Sequence, residues 1–146
     1  MEIFPFNLET IIMGLTTITG NTAQVNSSVA EVKAYLANMN NFEHLLPSDK
    51  ISDFQGGTEK CSFKIQAAAT INLVLKEVTE SSIIYGSAAP TPFRFTLTVS
   101  IEEVGETCVV SQVCEAELNA MLKMMVEKPL TKLFNHIAEQ LEKNLA

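Results

Sequence analysis

Asn119–Leu145, NAMLKMMVEKPLTKLFNHIAEQLEKNL, is the stretch on which the fold turns. Leu118, Leu122, Val126, Leu130, Leu133, Ile137, Leu141 and Leu145 recur at steps of three and four, so they form one apolar stripe of a helix. Lys123, Glu127, Lys132, Glu139, Gln140 and Lys143 lie away from that stripe. A wholly helical segment of about 27 residues would be roughly 40 Å long, enough to cross an entire sheet. Pro129 sits in its middle and predicts a kink, because its ring removes one backbone donor and crowds the preceding turn.

Upstream of this helix, from Lys50 to Leu118, helical periodicity is absent. Extended runs alternate with turn chemistry at Gly56-Gly57, Glu80-Ser81, Pro90-Thr91-Pro92 and Gly105-Glu106. Phe93, Phe95, Leu97, Val99 and Ile101 alternate with Arg94, Thr96, Thr98, Ser100 and Glu102, the signature of a strand with one dry and one wet face. The run Cys61–Leu75 has the same parity, with Cys61, Phe63, Ile65, Ile71, Leu73 and Leu75 apolar. Ala67, Ala68 and Ala69 interrupt it, and alanine's poor strand preference predicts a tight bend there. In Thr107–Leu118, Val110, Gln112, Cys114, Ala116 and Leu118 share a face, so Gln112 points with the apolar set. Connections this short require antiparallel pairing.

Towards the N-terminus, Thr16–Val25 (TTITGNTAQV) reads as a half-buried strand. Ser28 and Glu31 form a capping box ahead of Val29, Val32, Leu36 and Met39, and Phe42–Leu46 makes a second short helix that Pro47 ends. Residues 1–14 are expected to be a poorly packed N-terminal extension, with Met13 an alternative start, and residues 15–146 a single domain. Glu2 and Glu9, with no Lys or Arg before Ile12, do not make a signal peptide.

Composition excludes several functions. The chain has 146 residues, 47% of them hydrophobic and 18% charged, enough for one sizeable core. Its net charge of −7 repels phosphate backbones, so nucleic acid is not an expected partner. No apolar run reaches the roughly 18–20 residues of a membrane-spanning helix, so integral membrane association is not expected either. Cys61, Cys108 and Cys114 stand outside any CxxC arrangement and read as small buried thiols in a reducing cytoplasm.

The expected chemistry is sparse. His44 and His136 are the two histidines, and neither has a metal-ligand partner at i+4, so no metal, cofactor or catalytic residue is expected. Glu102, Glu115 and Glu117 fall on the wet face and are read as a solvated surface. Tyr85 and Gln112 follow the inward parity. A buried polar group without a partner costs about 1–3 kcal/mol, so each must bond to protein, water or ligand.

The order strand, two short helices, a meander of strands and a long C-terminal helix resembles the helix-grip fold of the Bet v 1-like superfamily, the START-like or SRPBCC group. The likeness is carried by SSVAEVKAYLANMNNFEHLLP (Ser27–Pro47), TPFRFTLTVSIEE (Thr91–Glu103) and AELNAMLKMMVEKPLTKLFNHIAEQLE (Ala116–Glu142), and it covers Leu15–Leu145. The branch it is most similar to is the polyketide cyclase and lipid-transport type of bacteria. The resemblance implies an α+β fold in which a curved seven-stranded antiparallel sheet wraps the C-terminal helix. Two departures stand out: the chain has no Trp at the end of the second short helix, and Gly56-Gly57 alone stands where plant relatives carry a glycine-rich loop.

The same resemblance implies a cavity between sheet and helix that takes a small hydrophobic molecule, lipid-like or aromatic. Phe63, Ile65, Leu73, Tyr85, Phe95, Leu97, Gln112 and Leu133 are its expected lining. Met121 and Met125 join them because the resemblance sets this end of the helix over the concave face and methionine adapts to variable apolar shapes. Two other functions exist within the resemblance: a polyketide cyclase or dehydrase enzyme, which needs polar groups inside the cavity, and a co-chaperone-like interaction domain, which needs an exposed apolar patch.

Overall fold

The computed structural model describes residues 15–65 and 69–145. The extension expected over residues 1–14 lies outside them, as does most of the alanine bend. The strands are β1 (Leu15–Thr19), β2 (Ala23–Val25), β3 (Ile51–Gln55), β4 (Lys60–Ile65), β5 (Ala69–Val78), β6 (Ser82–Ser87), β7 (Phe95–Val104) and β8 (Thr107–Glu117). The helices are α1 (Val29–Ala37), a 3-10 helix over Met39–His44, and α2 (Ala120–Asn144). All strand pairs are antiparallel, in the order β1-β8-β7-β6-β5-β4-β3, with β2 also on β8. The sheet is curved and carries the long helix, so the fold is the helix-grip α+β fold.

Among the described residues the sheet has eight strands rather than the expected seven. The segment read as one strand, Thr16–Val25, is broken between Thr19, opposite Val113, and Ala23, opposite Val110. The break is a docking point for α2. Asn21 donates its backbone N–H to Asn135 Oδ1 at 2.6 Å instead of to the ladder, and the Gln24 N–H is held by the Glu142 carboxylate at 2.9 Å. A Cβ on Gly20 would lie 2.7 Å from the Phe134 Cβ and 3.0 Å from its carbonyl carbon. Gly20→Ala is therefore expected to cost about 1–3 kcal/mol through this overpacking, read as a lower urea midpoint; an unchanged midpoint would show that helix and strand are not in close contact.

Local rules account for the other elements. The Ser28 hydroxyl accepts from the Glu31 N–H at 3.1 Å while the Glu31 carboxylate accepts from the Ser28 N–H at 2.9 Å, completing the capping box. This backbone bond and the Ser28 hydroxyl both hold the Glu31 carboxyl below its ordinary pKa. Gly105, with φ +62°, opens the tight turn joining β7 to β8, a position that favours glycine. The parity read across Cys61–Leu75 belongs to two strands, since Cys61 pairs with Leu73 and Phe63 with Ile71, placing all four on the inner face.

Pro129 divides α2 into unequal partners of the core. After it, Leu130, Leu133, Phe134, Ile137, Ala138 and Leu141 are buried; before it, no residue of the helix is. Leu122 and Val126 are half-buried against the core, whereas Met121, Met124 and Met125 are 70%, 84% and 59% exposed. The C-terminal end is pinned further, because the Leu145 carbonyl accepts from the Asn26 N–H at 3.1 Å and from the Ser27 hydroxyl at 3.2 Å. Among the described residues no helix is long and apolar enough to cross a membrane.

Candidate functional site

Between the concave face of the sheet and the second half of α2 lies an apolar cavity of about 40 Å³. The sheet contributes Phe63 from β4, Ile71 and Leu73 from β5, Phe95 and Leu97 from β7, and Cys114 from β8. Phe93, just ahead of β7, leans on Phe95 with ring centroids 5.7 Å apart. The helix closes the space with Leu130, Leu133 and Phe134.

Leu133 also lines a neighbouring open groove of about 540 Å³. This groove runs between α2, at Lys128, Pro129, Lys132, Leu133 and His136, and the stretch Pro47–Ile51 with Ile65. The cavity alone is smaller than the roughly 150 Å³ that accommodates benzene in an engineered apolar site, while the groove falls within the roughly 300–1,000 Å³ typical of ligand pockets. Leu133 is the side chain that the two spaces share.

Of the expected lining, Phe63, Leu73, Phe95, Leu97 and Leu133 meet at the cavity, and Ile65 stands in the groove. Tyr85 and Gln112 are buried as parity requires, but both are occupied by the protein. The Tyr85 hydroxyl donates to the Leu36 carbonyl at 2.6 Å, closing the end of α1, and its ring meets Phe42 edge-on at 5.3 Å. The Gln112 amide donates to the Phe134 carbonyl at 3.0 Å, tying the middle of β8 to α2. Met121 and Met125 contribute to neither lining and face outward. They precede Leu122 and Val126 by one residue, and one residue turns the helix by about 100°, which takes them off the buried stripe.

Ile71, Phe93, Cys114, Leu130 and Phe134 complete the cavity and were not in the expected set. The signal for four of them was present, since Ile71, Phe93 and Cys114 share the inward strand parity and Leu130 the helical stripe. Phe134 lies off that stripe, and its place follows from the helix docking on Gly20.

The chemistry of the lining is that of burial. Cys114 is the one titratable side chain among the described residues of the cavity wall; burial, with a smaller contribution from Glu115, pushes its thiol up to about 12. Burial likewise pushes the Cys61 thiol up to about 12 and raises the Tyr85 hydroxyl well above its usual range. All three cysteines are free and buried. The described residues hold no cluster of His, Cys, Asp and Glu arranged to bind a metal ion.

Tyr85→Phe isolates the polar consequence of this packing. Loss of the hydroxyl leaves the buried Leu36 carbonyl without its partner, at an expected cost of about 1–3 kcal/mol in thermal or urea unfolding. A variant as stable as the parent would show that water replaces the bond.

No family model matches the sequence, and no curated protein does. Solved structures do match the fold. A START superfamily protein from Mycobacterium smegmatis superposes with a TM-score of 0.67 at 13% identity, over 90% of this chain and 96% of the other. The protein XoxI from Bacillus cereus gives 0.65 at 17% identity, over 90% and 94%. The KanY protein gives 0.71 at 16%, over 90% and 98%. At such identities the likeness shows a shared fold.

Proposed function

We propose that this chain binds a small hydrophobic molecule, lipid-like or aromatic, in the groove and cavity joined at Leu133. The observation that carries the reading is the wholly apolar cavity wall beside an open groove of ligand-pocket size, with Leu133 lining both. At about 25 cal/mol per Å², a ligand losing roughly 300 Å² of apolar surface gains about 7–8 kcal/mol before the cost of association, which suits affinities in the micromolar range or weaker. Cys114, protonated at neutral pH, offers the wall no proton-transfer group, so binding fits better than a cyclase reaction. Three buried free thiols suit a reducing compartment, and the cytoplasm is our assignment.

Fluorescence titration with the neutral dye N-phenyl-1-naphthylamine tests the proposal. One saturable site is expected, weakened about tenfold in Ile65→Asp, which sets a charge in the apolar part of the groove. Absence of saturable binding would overturn it. A second reading, docking of a protein partner, draws on the exposed Met121, Met124 and Met125, and is favoured if the dye responds to Met124→Lys but not to Ile65→Asp.

A further inference from the structure

We propose that the molecule taken by this site is an amphiphile with an anionic head, a carboxylate on an apolar chain, whose head sits in the groove while the chain points past Leu133 into the cavity. The inference rests on the apolar-ligand reading above and adds the polarity of the ligand. Its basis is a local reversal of charge. The whole chain carries −7, yet the groove is lined by Lys50, Lys128 and Lys132 against one carboxylate, Asp49, with His136 beside them.

Lys128, Lys132 and His136 follow one another at four-residue steps, so a single stripe of α2 presents them all to the groove. Like charges at the spacing of Lys128 and Lys132 cost a helix a few tenths of a kcal/mol, and among the described residues neither lysine is paired with a carboxylate on the helix. Among the described residues, none of the side chains of Lys50, Lys128, Lys132 and His136 makes a hydrogen bond or an ion pair. The charge of Lys50, Lys128 and Lys132 is therefore available to a ligand. The apolar part of the groove, Pro47, Ile51, Ile65 and Leu133, lies among them, and Leu133 is shared with the cavity, which matches a molecule charged at one end and apolar along the rest.

Competition against bound N-phenyl-1-naphthylamine with decanoate and with 1-decanol separates head from chain. In the parent protein decanoate is expected to bind roughly tenfold more tightly than the alcohol, the sum of two or three part-exposed charge contacts. In Lys128→Gln/Lys132→Gln that preference should disappear while affinity for 1-decanol is retained, which also certifies the variant's fold. Raising the salt to about 0.5 M should shrink the preference in the parent by screening. Equal affinity for acid and alcohol in the parent, or a preference that survives the double substitution, would overturn the anionic head and leave the apolar site standing. Failure of both compounds to displace the dye, or failure of the dye to bind, would overturn the binding reading itself.

Discussion

In the folded protein at pH 8, Cys61 and Cys114 are expected to react with iodoacetamide about 1,000-fold more slowly than an exposed thiol, because the thiolate is the nucleophile and burial suppresses it. Both thiols stand near 12 against an ordinary value of 9.0. Peptide mapping by mass spectrometry after timed labelling gives each rate separately, and unfolding in urea should restore both to the ordinary rate. Native rates within about tenfold of a free thiol would show that the inner sheet face is wet. The same shifts carry a stability consequence. A group whose pKa is raised on folding holds its full contribution below the unfolded value and loses it as the pH climbs through the folded one. The urea midpoint should therefore be insensitive to these thiols below pH 9 and fall as the pH rises from 9 towards 12, with Tyr85 acting in the same direction.

Phe134→Ala is expected to cost about 3–5 kcal/mol, as for other buried aromatic truncations. Phe134 is buried, forms part of the cavity roof and lies close against Gly20 at the break between β1 and β2, so its removal leaves a hole in the packing between helix and sheet. Urea unfolding measures the loss. The same variant enlarges the cavity and should take up small apolar solutes that the parent excludes. A loss below about 1 kcal/mol would mean that the helix re-seats itself and that the hollow is not held open by rigid walls.

The inner sheet face that holds Cys61 and Cys114 is legible in the residue pattern, whereas the place of Phe134 is not. Strand parity in Phe93–Ile101 and Thr107–Leu118 puts Leu97, Val99, Val110, Gln112 and Cys114 inward, where they are found. The capping box at Ser28 and the stripe from Leu130 to Leu141 are equally legible, because each depends on neighbours a few residues away. What was not legible depends on distant contacts. At the break, residues 20–22, α2 supplies Asn135 to the Asn21 N–H, and beyond it Glu142 to the Gln24 N–H of β2. Periodicity carries the apolar stripe back through Leu122 and Val126 but does not tell how much sheet lies beneath them, and there the helix is half-covered. The size of the hollow is likewise a matter of how Phe93, Phe95 and Phe134 pack across it, and no local pattern encodes a void.

Tyr85 and Gln112 illustrate the limit of reading polar residues from parity alone. Their inward direction was legible; their partners were main-chain carbonyls at Leu36 and Phe134, on elements 49 and 22 residues away. Each secures a helix against the sheet, so the polar groups inside this domain serve its architecture and leave the cavity wall apolar. Lys128, Lys132 and His136 show the converse: they lie off the buried stripe of the helix, where a solvated surface is the ordinary reading, and only the fold shows that they line one groove with Pro47, Ile51 and Ile65.

Amide chemical-shift mapping by nuclear magnetic resonance, with N-phenyl-1-naphthylamine added stepwise, probes the joined groove and cavity most directly. The account predicts perturbations centred on Ile65, Leu133 and Phe134 and extending across the sheet to Phe63, Leu73 and Leu97. Shifts confined to Met121–Met125, or no saturable shifts at all, would contradict it.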